Sequence, residues 1–91
     1  LDFGLIGKTN LKIMIRGIDF VTIEIYGLMQ SYNATIEECQ ILVDNIQSLK
    51  HYEVKVLNHQ QDTGYIDVAL YPKNGDKRKF IKDIKADGYI E

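Results

Sequence analysis

Apolar residues in this chain recur at every second position, then at every third or fourth, then at every second again, and this switch of period limits the folds open to it. Within Phe20–Tyr26, Val21, Ile23 and Ile25 share one side, and within Tyr52–His59 so do Tyr52, Val54 and Val56. Within Tyr65–Tyr71 the shared side is Ile66, Val68 and Leu70, and a shorter stretch, Leu11, Ile13 and Ile15, does the same. Alternation of this kind is that of strands buried on one face. Between the second and third alternating runs, Ile36, Cys39, Leu42, Val43, Ile46 and Leu49 instead fall on one face of a helix.

The punctuation agrees with these periods. Arg16-Gly17-Ile18-Asp19 offers a turn between the first two runs, and Gln60-Gln61-Asp62-Thr63-Gly64 offers another between the last two. Asn33 is a suitable helix N-cap, and Thr35 with Glu38 offers a capping box as an alternative start two residues later. Lys50 and His51 suit the negative end of a helix running to Leu49. Pro72 lacks the N–H that a ladder needs and ends the last strand; Asn74-Gly75-Asp76 then opens a second helix that buries Phe80, Ile81 and Ile84, with Gly88 as its C-terminal cap. Tyr89-Ile90-Glu91 reads as the start of a further strand.

The predicted order is therefore β-β-α-β-β-α. A strand, a helix and a second strand make a βαβ unit whose strands run parallel with a gap between them, and strand 64–71 fills the gap antiparallel. Strand 11–15 pairs with the outer side of strand 20–26. This is an α+β, ferredoxin-like split βαβ fold, with a four-stranded antiparallel or mixed sheet and two helices on one face. Residues 1–10 form a flexible lead-in, and 11–91 form one domain.

Composition narrows function mostly by exclusion. The chain has 91 residues, 45% hydrophobic and 26% charged, which suits one ordered globular core. Its net charge of −2 gives no overall attraction to nucleic acid or anionic lipid. The lone Cys39 excludes an internal disulfide and is compatible with periplasm or cytosol. No run reaches the roughly 18 to 20 apolar residues that span a bilayer, so any membrane contact is made through a segment outside this chain.

Candidate chemistry is sparse. Gly4-Leu5-Ile6-Gly7-Lys8-Thr9 ends like a phosphate-binding loop, but Asp2 stands where the motif needs its first glycine. Cys39 and His51 are twelve residues apart on one predicted helix, about 18 Å along its axis, too far for a nucleophile and base. His59 and Asp62 offer two donors, short of a zinc or calcium shell. Glu24 and Asp67 fall on neighbouring strands of the open face without an apolar cleft to shift either one. Lys73, Lys77, Arg78, Lys79, Lys82 and Lys85 form a basic end interrupted by Asp76, Asp83 and Asp87, with no aromatic row for stacking bases. No catalytic residue, metal site or cofactor is assigned, and the chain is read as a non-enzyme.

What remains is protein contact. Tyr26, Tyr65 and Tyr71 point to the side of the sheet without helices, and tyrosine is enriched where protein surfaces meet. Strands 11–15 and 52–59 are the sheet edges, where strand addition pairs one domain with another; Lys12, Met14 and Lys55 lie on them. With Lys77 and Arg78 of the basic helix, these are the candidate interaction residues, and the partner is a second copy or a similar domain rather than nucleic acid.

From Leu11 to Tyr71 the chain resembles the periplasmic domain of type IV pilus inner-membrane assembly proteins of the PilN kind, and related type II secretion components. The resemblance rests on Val21-Thr-Ile-Glu-Ile-Tyr-Gly27, then Ser31 before a helix carrying Ile36, Leu42, Ile46 and Leu49, then Tyr52-Glu-Val-Lys-Val56, then Gly64-Tyr-Ile-Asp-Val68. It implies a non-catalytic periplasmic domain of an inner-membrane protein, dimerising as part of a pilus or secretion platform. The basic helix after Pro72 departs from that family, and a helix there is normal in ACT-like ligand-sensing domains. A regulatory small-molecule-binding module, cytoplasmic in that case, is the alternative reading.

Overall fold

A computed structural model describes residues 18–26 and 33–90. The elements are β1 (Val21–Ile25), α1 (Ile36–Asp44), a 3-10 turn at Gln47–Leu49, β2 (Tyr52–Gln60), β3 (Tyr65–Pro72), a second 3-10 turn at Lys73–Gly75 and α2 (Lys77–Ala86). The strand order across the sheet is β1-β3-β2, with both ladders antiparallel. β1 and β2 therefore run the same way with β3 between them, which makes β1-α1-β2 a split βαβ unit.

The expected four-stranded sheet and β-β-α-β-β-α order are corrected: the described residues form a three-stranded antiparallel sheet in the order β-α-β-β-α. The strand expected at 11–15, with Lys12 and Met14, lies outside the described residues, as does the Gly4–Thr9 loop. Alternation over five residues marks a candidate strand face, but it supplies neither a partner nor a register. Among the described residues, Tyr89-Ile90 form no strand; both side chains pack against the core instead.

The core lies on one side of the sheet. Ile66, Val68 and Leu70 of β3 are fully buried, opposite Ile25, Ile23 and Val21 of β1. Cys39 and Val43 of α1 and Phe80 and Ile84 of α2 complete one continuous cluster with them. Burial raises the Cys39 thiol above its ordinary pKa, with the Glu38 charge adding to the effect.

α1 is capped by Thr35, the alternative start, and not by Asn33, which takes φ 60°. The Thr35 hydroxyl accepts from the Glu38 N–H at 3.1 Å, and the Glu38 carboxylate accepts from the Thr35 N–H at 2.9 Å. Those bonds hold the Glu38 carboxyl below its ordinary pKa. The helix stops at Asp44, one and a half turns before the expected end at Leu49. Asn45 ends it: its side chain donates to the Ile41 carbonyl at 2.9 Å, a local bond that competes with helix continuation. Ile46 is then extended, and Leu49 reaches the core from the 3-10 turn. Ile36, expected on the buried face, is 47% exposed because it sits in the first turn, at the rim of the sheet.

α2 is bounded as its residues predict. Asp76 caps its start by accepting from the Lys79 N–H. Gly88 (φ 82°) follows its end, donating to the Lys85 carbonyl while Tyr89 donates to that of Ile84, the two bonds of a Schellman motif.

A candidate protein-binding face

On the side of the sheet away from the helices, the β1–β3 register sets two aromatic pairs at opposite ends of one ladder. Val21 faces Leu70 and Ile25 faces Ile66, so the flanking residues bring Phe20 to Tyr71 and Tyr26 to Tyr65. The Phe20 and Tyr71 rings stack with centroids 5.3 Å apart, and those of Tyr26 and Tyr65 lie 5.2 Å apart at 39°. Both separations fall within the favourable range for aromatic pairs. These rings are not core: Tyr26 is 64% exposed and Phe20 47%.

Between the two pairs, Thr22 faces Ala69 and Glu24 faces Asp67. Two carboxylates directly opposite on antiparallel strands repel, and neither has an ion-pair partner among the described residues. A bulge in β2 extends the apolar surface toward them. Leu57 and Asn58 together oppose Asp67, and Leu57, 48% exposed, borders a shallow hollow of about 500 Å³ with Thr22, Glu24 and Asp67. Lys55, opposite Ala69, and Glu53, opposite Tyr71, are exposed on the same side.

The bulge also reverses the alternation beyond it. Simple alternation from Tyr52 puts Asn58 inward and His59 outward; the extra residue instead sets His59 opposite Ile66 on the core side. Its Nε2 is buried with no hydrogen-bond partner among the described residues. His59 and Asp62 do border one hollow, with Ala34, Ile36 and Gln61, but no group of three metal-binding side chains forms among the described residues.

The expected edge site on β2 is partly closed. The Gln40 side chain on α1 accepts from the Val56 N–H at 3.0 Å and donates to the Val54 carbonyl at 2.9 Å. One residue of a parallel neighbouring strand would make the same two bonds across Lys55. The second Gln40 amide hydrogen goes to Asp44 Oδ1 at 2.9 Å, which fixes the orientation of the amide: reversed, its oxygen would face both the carbonyl and the carboxylate.

His51 does not serve the end of α1. Its Nε2 lies 2.8 Å from Asp87 Oδ2, the same oxygen to which the Tyr52 hydroxyl donates at 2.5 Å. Since a carboxylate only accepts, His51 Nε2 carries a proton there. The Tyr52 bond, then that of His51, hold Asp87 below the ordinary carboxylate range. Burial, then the bond to Asp87, push the Tyr52 hydroxyl far above the tyrosine range. The Tyr52 ring also meets Phe80 edge-on at 5.8 Å and Tyr89 at 6.1 Å. The cluster thus latches the end of α2 to the start of β2.

The basic helix divides into paired and unpaired cations. Lys77 pairs with Asp19 at 2.6 Å and Lys79 with Asp83 at 2.6 Å. Arg78, Lys82 and Lys85 are exposed, without an ion-pair partner among the described residues, and at i, i+4 and i+7 they form one stripe on the side of α2 away from Phe80 and Ile84.

The structure therefore brings Tyr26, Tyr65, Tyr71 and Lys55 to one face, sets Lys77 and Arg78 on a separate helix, and adds Phe20 and Leu57. Sequence reasoning passed over Phe20, although it stands six residues before Tyr26 and so shares its side. The Leu57 bulge had no such signal. No family model, curated protein or solved structure matches the chain.

Proposed function

We propose that this chain is a non-catalytic protein-interaction domain that works through its open sheet face, in a periplasmic pilus or secretion assembly platform held to the inner membrane by a segment outside this chain. The observation that carries the interaction role is the pair of aromatic contacts, Phe20–Tyr71 and Tyr26–Tyr65, at the two ends of one ladder, with Phe20, Tyr26 and Tyr65 exposed and Tyr71 half-buried. Ring pairs that served only the fold would gain more by lying beneath the helices. Tyrosines with an apolar body and a polar tip instead suit a surface that is wet part of the time and covered the rest. The ionisable cluster at His51, Tyr52 and Asp87 is engaged in joining α2 to β2, which supports a structural use of these groups. The platform assignment rests on the sequence resemblance between Leu11 and Tyr71.

The test is a photo-crosslinking residue in place of Tyr26 in the full-length protein within its native membrane, with one in place of Ile41 on α1 as the control. An adduct from position 26 that contains a pilus or secretion platform component, and none from position 41, is the expected result. Adducts from neither position, or a melting temperature raised by amino acids or nucleotides, would contradict the reading, because a ligand that binds only the folded form must stabilise it.

A further inference from the structure

We infer that the open sheet face takes the basic stripe of α2 from a second copy of the chain, so that copies join head to tail. This rests on the open face being the interaction surface and names what covers it. The two surfaces are complementary in charge and chemistry. Among the described residues the face carries Glu24, Asp67 and Glu53 against the single cation Lys55, with exposed rings beside the carboxylates. The stripe carries Arg78, Lys82 and Lys85, none of them neutralised within its own chain among the described residues.

Glu24 and Asp67 repel each other across the ladder in the isolated chain, and a cation set over them removes that penalty. A guanidinium does this best, because its planar fork can bond to carboxylates while its face lies on a tyrosine ring. Arg78 is the only arginine of the stripe and its most N-terminal member.

Both helices pack on the covered side of the sheet, so the stripe and the open face look in opposite directions. A copy cannot satisfy both in one reciprocal pair. The interface is heterologous, and an open assembly keeps one unused face at one end and one unused stripe at the other.

Sedimentation of the purified chain tests this. Expected is concentration-dependent association that weakens about tenfold or more between roughly 0.05 and 0.5 M salt, as the screening length falls below the reach of surface charges. E24Q/D67N should weaken association about tenfold while raising the melting temperature, since it removes repulsion within the strand pair; loss of folding cannot move both in that way. E24K/D67K alone and R78E/K82E/K85E alone should each be monomeric. Mixed, they should associate again, because each retains the surface the other has lost and the two reversed surfaces complement each other.

A monomer at every concentration and salt, or two variants that fail to combine when mixed, would overturn the proposal. So would R78E/K82E/K85E associating like the parent. If that occurs while E24Q/D67N still weakens association, only the occupant is wrong and the face remains the binding surface.

Discussion

At the scale of residues, one carboxylate oxygen joins two elements. Asp87 Oδ2 accepts from Tyr52 and His51, which lie 35 and 36 positions away. Tyr52→Phe removes a bond to a charged group in a partly exposed corner and should cost about 1–2 kcal/mol, read as a lower urea midpoint at pH 7. The pH dependence has a definite sign. Asp87 is depressed in the folded chain, so its contribution is present above the ordinary aspartate pKa near 4 and is lost as pH falls through the folded value. Tyr52 is raised, so the unfolded chain releases this proton first and stability falls above about pH 10. Tyr52→Phe should flatten both limbs of the stability–pH curve. None of this was legible in the sequence. His51 next to Lys50 looked like the end of a helix, and nothing in residues 51 and 52 pointed to a partner beyond Pro72.

At the scale of elements, the alternation of β1 and β3 was readable because one face of each is buried, and a slip by one residue would expose Ile66, Val68 and Leu70 together. The caps of α2 were readable for the same local reason: Asp76 and Gly88 act within a turn of where they stand. The end of α1 was not. Ile46 and Leu49 fit the helical period, yet Asn45 breaks the helix and a 3-10 turn delivers Leu49 to the core by another route. The β2 edge also differs from the simple reading, because Gln40 occupies it. Gln40→Ala should cost about 1–2 kcal/mol and leave the Val56 amide exchanging with solvent at least tenfold faster, measured by hydrogen exchange. An unchanged Val56 amide would mean that the carboxamide does not guard this edge.

At the scale of the whole molecule, the split βαβ arrangement was legible because a helix joining two strands fixes them parallel and leaves one slot for the next strand. The fourth strand expected at 11–15 lies outside the described residues. With β3 between β1 and β2, Phe20, Glu24, Tyr26, Tyr65, Asp67 and Tyr71 share one face that no described helix covers. A nuclear Overhauser spectrum of the isotope-labelled chain tests this arrangement most directly. The expected cross-peaks link Thr22 to Ala69 and Val56 to Val68 across the backbone, and the ring of Tyr26 to that of Tyr65. Backbone cross-peaks joining β1 directly to β2, without those to β3, would contradict the account.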